Sequence, residues 1–208
     1  MTIDFSAIST AEKANWLNSA VAPRPIALAS TISKNGEVNL SPFSFFNVFS
    51  SNPPIVILAP NRRVRDGTRK HTIMNLEEVP ELAISIVDLS MVEKVNQSSA
   101  EYARGVNEFH EAGFTEVPSQ SIRPPFVKES RISMECRVIE LKSLGDNAGA
   151  GTLVIAEVKL MHVDDGLLDQ NGVIDPERFQ QVARLGQDWY THTDPSVLFK
   201  LPKPDIHF

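Results

Sequence analysis

The stretch PRPIALASTISKNGEVNLSPFSFFNVFSSNPPIVILAP, from Pro23 to Pro60, decides the fold that the sequence predicts. It indicates a strand over 26–32, a returning strand over 37–40 and a third strand that ends before Pro60. Lys34-Asn35-Gly36 supplies the first turn, because Asn-Gly tolerates the positive φ that tight hairpins require. Between the second and third strands, Ser and Asn alternate with phenylalanines. This mixture predicts a turn that suits a ligand with a flat apolar body and polar edges.

Three further segments, 82–89, 130–144 and 152–163, alternate apolar and polar residues as half-buried strands do. With the first stretch they give about six strands, with short connections and no regular βαβ alternation. The sequence therefore predicts a mainly β fold, an antiparallel Greek-key-like barrel with peripheral helices, because closure removes exposed strand edges. Helices are predicted over 10–19, 70–78, 90–98 and 106–112, and residues 100–125 are predicted to form an irregular lid or interface piece.

The chain of 208 residues is predicted to form one domain over 1–208, with a core over about 20–192. The first helix is expected to cover an open end of the barrel, with Ala14 and Leu17 facing inward. Residues 193–208 contain three prolines with apolar residues between them. This pattern predicts an extended C-terminal arm that packs on another surface, and a second subunit is one candidate.

A net charge of −6 argues against nucleic acid or an anionic membrane as the main partner, since both usually select a basic surface. No apolar run approaches the roughly 20 residues that cross a bilayer, and the N-terminus lacks the pattern of an export signal. The single cysteine, Cys136, cannot form an intrachain disulfide. Together these features predict a cytoplasmic protein.

No protein-only catalytic group is predicted. The five histidines show no close pairing of the kind that binds zinc, and Cys136 has no neighbouring partner, so no metal site is expected. Nucleophile-elbow and phosphate-loop motifs are lacking, and Gly149-Ala150-Gly151 does not fit a dinucleotide fingerprint. If the chain is an enzyme, a bound cofactor is expected to perform the difficult step.

The segment 62–70 holds five basic residues, Arg62, Arg63, Arg65, Arg69 and Lys70. A solvated loop face is the ordinary interpretation. An anion site is the other, because a helix is predicted to start near Thr68 or Thr72, where free N–H groups and the helix dipole favour negative charge.

The phenylalanines of the turn also allow two interpretations. Phe43, Phe45 or Phe49 on the inward side of a strand are expected to be core residues. Phe45-Phe46 must point to opposite faces if the chain is extended, so one of the pair is expected to line a groove or a subunit contact.

Several motifs, taken in order, resemble the flavin reductase-like family. They are Pro23-Arg24-Pro25-Ile26-Ala27-Leu28 with Ser30-Thr31, Asn35-Gly36, Asn39-Leu40-Ser41-Pro42-Phe43-Ser44-Phe45-Phe46-Asn47, Pro53-Pro54, Lys70-His71-Thr72, Pro124-Pro125, Glu135-Cys136, and Arg184-Leu185-Gly186 with Trp189-Tyr190. The members of this family are FMN-binding split barrels related to flavoredoxin and to the reductase components of two-component monooxygenases. The resemblance covers about residues 20 to 192.

The resemblance implies a homodimer with FMN near the subunit interface and with hydride transfer from NAD(P)H to the flavin. A monooxygenase component or another electron acceptor would be the downstream partner. The alternative is an FMN-containing electron carrier without nicotinamide-dependent reductase activity. An oxidase of the pyridoxine phosphate type would need a substrate-phosphate site that the sequence does not show.

By position, the resemblance implies these cofactor-binding residues: Arg24, Ser30, Thr31, Asn39, Ser41, Pro42, Ser44, Phe45, Phe46, Asn47, Arg69, Lys70 and Thr72. The last three are implied phosphate contacts. The family commonly has Leu-Gly-Gly where this chain has Leu185-Gly186-Gln187, so the sequence leaves open how closely the backbone approaches near Gly186, because Gln adopts positive φ less freely than Gly.

Overall fold

The computed structural model describes residues 1–204. The strands are β1 (Arg24–Pro25), β2 (Ala27–Ile32), β3 (Val38–Phe43), β4 (Phe46–Ser51), β5 (Pro54–Leu58), β6 (Glu81–Ile86), β7 (Glu116–Val117), β8 (Phe126–Val127), β9 (Ile132–Ser143), β10 (Thr152–Val163), β11 (Val182–Arg184) and β12 (Tyr190–His192). The helices are α1 (Thr10–Ala20), α2 (His71–Glu78), α3 (Val92–Ser98) and α4 (Glu108–Glu111), with short 3-10 turns at Leu89–Met91, Asp165–Leu167, Pro176–Arg178 and Pro195–Val197.

The main sheet has seven strands in the order β3-β2-β6-β9-β10-β5-β4, and each neighbouring pair is antiparallel. Every one of these strands contributes to a single apolar core, including Phe43 of β3 and Phe46 of β4 at the two edges. The sheet must therefore curve around that core until its edge strands face each other. The result is an antiparallel barrel with an opening between β3 and β4, and Ser44-Phe45 joins the two strands across it.

A second apolar core covers the outer face of the β2–β3 hairpin. Ile26, Leu28 and Leu40 pack there against residues from α3 and α4, among them Val95 and Phe109. The alternation of residues along β2 explains this double burial, since Ala27 and Ala29 point into the barrel while Ile26 and Leu28 point out. The helices predicted over 90–98 and 106–112 correspond to α3 and α4, and they bury the outer face of this hairpin.

A buried carboxylate fastens the segment before β8 to the barrel. Glu135 is fully buried in β9, and its Oε1 accepts from Gln120 N at 2.8 Å, while its Oε2 accepts from Ser121 N and Ser121 Oγ, each at 2.7 Å. His162 Nε2 lies 2.8 Å from Oε1. Burial alone would raise the pKa of Glu135, but these hydrogen bonds lower it to about 2. The end of the 100–125 excursion is thus tied to the barrel wall.

Most predicted elements are confirmed, with shifts of one or a few residues at their ends. The predicted turn after β3 is different: its second half is β4, an edge strand paired with β5. The expectation that Ala14 and Leu17 face inward is wrong, because α1 has no buried residue and Leu17 is 50% exposed. No helix in residues 1–204 is long and apolar enough to cross a membrane.

The predicted C-terminal arm begins after β12. A 3-10 turn at Pro195–Val197 is followed by residues without regular structure, in which Phe199 and Leu201 are exposed. The last part of the predicted arm, 205–208, lies outside the described residues.

Replacing the buried carboxylate by an amide tests the anchor. We expect Glu135→Gln to lower the free energy of unfolding at neutral pH by about 2–3 kcal/mol, because the amide accepts fewer of the hydrogen bonds. Since folding lowers the pKa of Glu135 from 4.5 to about 2, its stabilisation is present above pH 4.5 and is lost as the pH falls toward 2. The difference between the two proteins should shrink over that window in urea titrations.

The matched control is Glu140→Gln, since Glu140 is an exposed carboxylate on the same strand. An equal loss of stability in the two variants would contradict the anchoring role of Glu135.

Candidate functional site

An apolar cleft of about 400 Å³ lies where the Ser44-Phe45 connection meets α1. Its walls come from α1, from the proline-flanked β1 and from β4 and its neighbours. The lining residues are Leu17, Asn18, Val21, Pro23, Arg24, Pro25, Ser44, Phe45, Phe46, Asn47, Phe49, Ile57, Ala59 and Leu153. The cleft therefore combines a mostly hydrocarbon surface with a few polar groups at its rim, which is typical of small-molecule sites.

Arg24 fixes the wall of this cleft. Its Nη1 donates to the carbonyl oxygens of Asn18 and, at 2.6 Å, of Val21, and its Nη2 donates to Leu185 O at 2.9 Å. The guanidinium also lies over the Phe45 ring, 6.0 Å from its centroid. The residue is buried, and within residues 1–204 no carboxylate pairs with it. Burial, and then the charge of Arg184, lower the pKa of Arg24.

A second cavity of about 430 Å³, which we name the polar annex, adjoins the cleft. It shares Asn18, Arg24, Ser44 and Phe45 with the cleft, and its remaining lining residues are Asn15, Arg184, Leu185, Gln187 and Asp188. Most of these belong to the turn between β11 and β12. The surface of the annex is mainly polar, whereas the surface of the cleft is mainly apolar. A ligand that entered both would therefore meet two different chemical environments.

The turn between β11 and β12 is held in an unusual backbone conformation. Gln187 has φ +54°, the left-handed region that side chains with a Cβ adopt at a cost. Its carbonyl oxygen accepts from Arg184 Nη2 at 2.8 Å. A Cβ on Gly186 would lie 3.0 Å from Ser19 Cα, so the close approach of α1 requires glycine there. The backbone approach near Gly186 is therefore close: Gln187 adopts the positive φ, and Gly186 lies against Ser19 of α1.

The basic segment lies before α2, and its charges are not equivalent. Arg62 pairs with Asp146, Arg63 and Arg65 with Glu101, and Arg69 with Glu77. Lys70 has no carboxylate within salt-bridge distance in residues 1–204, although it is partly buried.

Lys70 also stands at the N-cap position of α2, where its side chain makes no capping hydrogen bond. Burial and the charge of Arg63 lower the pKa of its ammonium group, and Glu101 opposes them. An anion bound at this point would supply the missing counter-charge.

Beside Lys70, five polar side chains form two neighbouring hydrogen-bonded groups, which together we call the buried network. Asn75 Nδ2 donates to Thr31 Oγ1 at 3.3 Å. With the Asn39 amide oriented to satisfy both partners, its oxygen accepts from Thr72 Oγ1 at 3.2 Å and its nitrogen donates to Glu108 Oε1 at 3.3 Å. Burial raises the pKa of Glu108, against the hydrogen bond from Leu40 N. These groups connect α2 and α4 to the β2–β3 hairpin.

The structure separates the sequence-predicted site residues into two groups. Arg24, Ser44, Phe45, Phe46 and Asn47 line the cleft. Thr31, Asn39 and Thr72 lie in the buried network at the other end of the β2–β3 hairpin, with Arg69 and Lys70 just before α2. Ser41 and Pro42 lie between the groups on β3, and Ser30 is buried with an Oγ that has no hydrogen-bond partner among residues 1–204. The extended span from Asn39 to Phe43, the end of β3, is about 13 Å.

The phenylalanines also divide. Phe43 and Phe46 are buried core residues, whereas Phe45 is 39% exposed, and both Phe45 and Phe46 line the cleft. Of the three candidates for the core, Phe43 is the core residue, while Phe49 is 64% exposed and lines the cleft.

Sequence reasoning missed the contributions of α1 and of the β11–β12 hairpin. The pair Leu17 and Val21, spaced by four residues on one helix face, was a usable signal for the first. For the β11–β12 hairpin, the available signal was Arg184 followed by a turn-forming segment with Trp189 and Tyr190. The sequence analysis assigned no site role to this arginine.

The family-model comparison identifies a flavin reductase like domain over residues 19–183. The chain belongs to the flavin reductase-like family. An uncharacterised protein of Halalkalibacterium halodurans is 38% identical over 208 residues, covering 99% of this chain and 98% of the relative. Nitrilotriacetate monooxygenase component B from Bacillus cereus matches in structure with a TM-score of 0.89 and 30% identity, covering 97% of this chain and 98% of its own.

A protein with a split barrel domain from Shewanella frigidimarina has a TM-score of 0.82 and 29% identity, covering 98% of this chain and 100% of its own. The predicted fold, a mainly β split barrel, is therefore confirmed. Membership of the family makes the chain a flavin-related oxidoreductase.

Relief of the left-handed backbone at Gln187 should stabilise the protein. We expect Gln187→Gly to raise the free energy of unfolding by about 1 kcal/mol and the melting temperature by about 2–4 °C. The carbonyl that accepts from Arg184 remains in place. Calorimetry should show no such gain for Gln187→Ala, which keeps the Cβ. A gain of equal size in both variants would mean that the backbone at 187 carries no strain.

Proposed function

We propose that this flavin reductase-like chain binds FMN along β3 and accepts hydride from NAD(P)H, passing electrons to a free flavin, a protein or a small molecule. Lys70 supports this most strongly. It is a partly buried ammonium group without a carboxylate partner in residues 1–204, and it stands at the uncapped start of a helix in a family defined by flavin chemistry.

The phosphate of FMN is assigned to the Lys70 end of the track. Four of the five basic side chains of the segment are neutralised by carboxylates, so added negative charge is best received at Lys70. The first N–H groups of α2 also favour a phosphate at this position, since helix N-termini favour anions. His71, the first residue of α2, lies near the positive charges of Arg63, Arg104 and Lys70. Burial and then these charges lower its pKa. Thr72 and Asn39 then position α2 against β3 through the buried network.

The flat ring is assigned to the Phe45 end. The track runs along β3 from Asn39 to Phe43, an extended span of about 13 Å, and continues through the bend at Ser44 to Phe45. β3 is an edge strand, so its backbone groups have no second ladder, and those other than Leu40 N, which donates to Glu108, can bond the polar edge of a ring. Ser44 and Asn47 add polar groups at the rim, and the apolar walls of the cleft exclude water. Ser30, Ser41, Pro42, Phe46 and Arg24 act as the walls and supports of this track.

Bound FMN would supply hydride acceptance and onward electron transfer, chemistry that no group of the chain itself offers. No cluster of metal-ligating side chains occurs in residues 1–204, and the buried Cys136 has its pKa raised to about 12 by burial and Glu135, so its thiol is unreactive. In this proposal the chain's own residues bind the FMN, orient its ring and shield it from water.

A second copy of the chain and a cytoplasmic location complete the proposal. Val48 and Phe49 are exposed on the edge strand β4, beside the cleft. A homodimer that covers this edge would bury them and add to the wall of the cleft. The similarity to a monooxygenase component B supports a monooxygenase component as one acceptor of the electrons.

Anaerobic titration separates the proposed reductase from its rival. The FMN-loaded protein should lose its visible flavin absorbance when NADH or NADPH is added. A yellow protein that neither nucleotide changes would instead be an FMN-containing electron carrier. A colourless protein that FMN does not reconstitute would contradict both functions.

The phosphate assignment predicts a loss that depends on the phosphate itself. Lys70→Ala should weaken FMN binding about 10- to 100-fold, because a charge-assisted contact is removed, and should leave the affinity for riboflavin within about twofold. Fluorescence quenching measures both affinities. Lys128→Ala, which removes an exposed lysine, is the control. Equal losses for FMN and riboflavin would place the phosphate elsewhere.

A further inference from the structure

Arg184 stands where three cavities meet. It lines the polar annex, and it also lines a groove of about 800 Å³ between α3 and β12, which we name the outer groove. The outer groove is lined by Val92, Glu93, Asn96, Ser99, Arg184, Asp188 and Tyr190. A smaller cavity with Ser44 and Pro42 in its wall also reaches Arg184 and Tyr190. The cleft and the annex share four lining residues, and the annex and the outer groove share Arg184 and Asp188, so the three lie next to one another in series, which we call the path.

The middle of this path is positively charged. Arg24 and Arg184 both line the annex and are close enough for the charge of Arg184 to lower the pKa of Arg24. The opposing carboxylate in the annex is Asp188, which is fully exposed and 3.8 Å from Arg184 Nη2, too open to neutralise two guanidinium groups. Glu93 of the outer groove is also exposed.

Arg184 is held ready for a ligand. Its Nη1 donates to Tyr190 Oη at 2.8 Å, its Nη2 donates to Gln187 O at 2.8 Å, and its guanidinium lies over the Tyr190 ring, 4.8 Å from the centroid. These contacts fix the plane of the group, while its side chain stays 36% exposed. A planar guanidinium with free donor positions is well suited to phosphate oxygens.

We propose that the annex binds the diphosphate of a nicotinamide dinucleotide, with Arg184 as the specificity-determining contact, the nicotinamide in the cleft and the adenosine in the outer groove. This inference rests on the proposed function. The order of environments along the path, apolar, cationic and mixed polar, matches the order of groups along such a dinucleotide. Tyr190 offers an aromatic face to a base, and Asn96 and Ser99 offer polar groups to a ribose.

One more group at the junction indicates a missing partner. Asn18 lines both the cleft and the annex, and its Oδ1 is shielded from solvent with no hydrogen-bond donor in residues 1–204. Buried polar atoms normally have partners. The amide of a nicotinamide group is a donor of the kind that this oxygen lacks.

Steady-state kinetics with two hydride donors tests the proposal on the FMN-loaded protein. The donors are NADH and an N-benzyl dihydronicotinamide, which carries the same reactive ring without diphosphate or adenosine. Arg184→Gln should raise the KM for NADH about 10- to 100-fold, with kcat within about twofold. Its KM for the benzyl donor and its Kd for FMN should equal those of the wild type. Arg184→Lys should recover part of the NADH affinity, because it restores the charge.

Arg123→Gln is the matched control, since Arg123 is exposed and does not line the cleft, the annex or the outer groove. An unchanged KM for NADH in Arg184→Gln overturns the proposal, and so does an equal rise for both donors, which would show that Arg184 only supports the fold of the hairpin. A weakened Kd for FMN would assign the annex to the flavin phosphate and also overturn it. Failure of the proposed function looks different: the wild-type protein would then be reduced by neither donor.

Discussion

The guanidinium group of Arg24 is buried without a carboxylate partner in residues 1–204, and backbone carbonyls hold it where three pieces of the chain meet. Through these bonds it connects the end of α1, the turn between β11 and β12 and, by its position over Phe45, the connection between β3 and β4. Burying an unpaired charge is costly. This buried charge lies where the apolar cleft and the polar annex share a wall, since Arg24 lines both.

The opening of the barrel follows from a second constraint. All seven strands of the main sheet bury side chains in one core, yet β3 and β4 are joined by only two residues, Ser44 and Phe45. A connection that short places the two edges side by side, while Phe45 is turned out into the cleft. The free edge of β3 and the uncapped start of α2 are then available to one elongated ligand, and the proposed FMN track uses both.

Much of this was predictable from the sequence, because the decisive signals are local. Asn35-Gly36 determines the first hairpin, alternation determines β9 and β10, and the ordered motifs identify the family. The exposed position of Phe49 was not predictable, since its hydrophobicity favours a core and only the tertiary arrangement makes it a cleft wall. The special role of Lys70 was also hidden: sequence shows five basic residues, and only the fold shows which four find carboxylates.

The most direct test of the proposed FMN track is a crystal structure of the FMN-loaded protein. We expect the phosphate within hydrogen-bond distance of Lys70 and the start of α2, with the ring against Phe45. A phosphate bound by Arg24 and Arg184 in the annex, or a ring that does not contact Phe45, would contradict it.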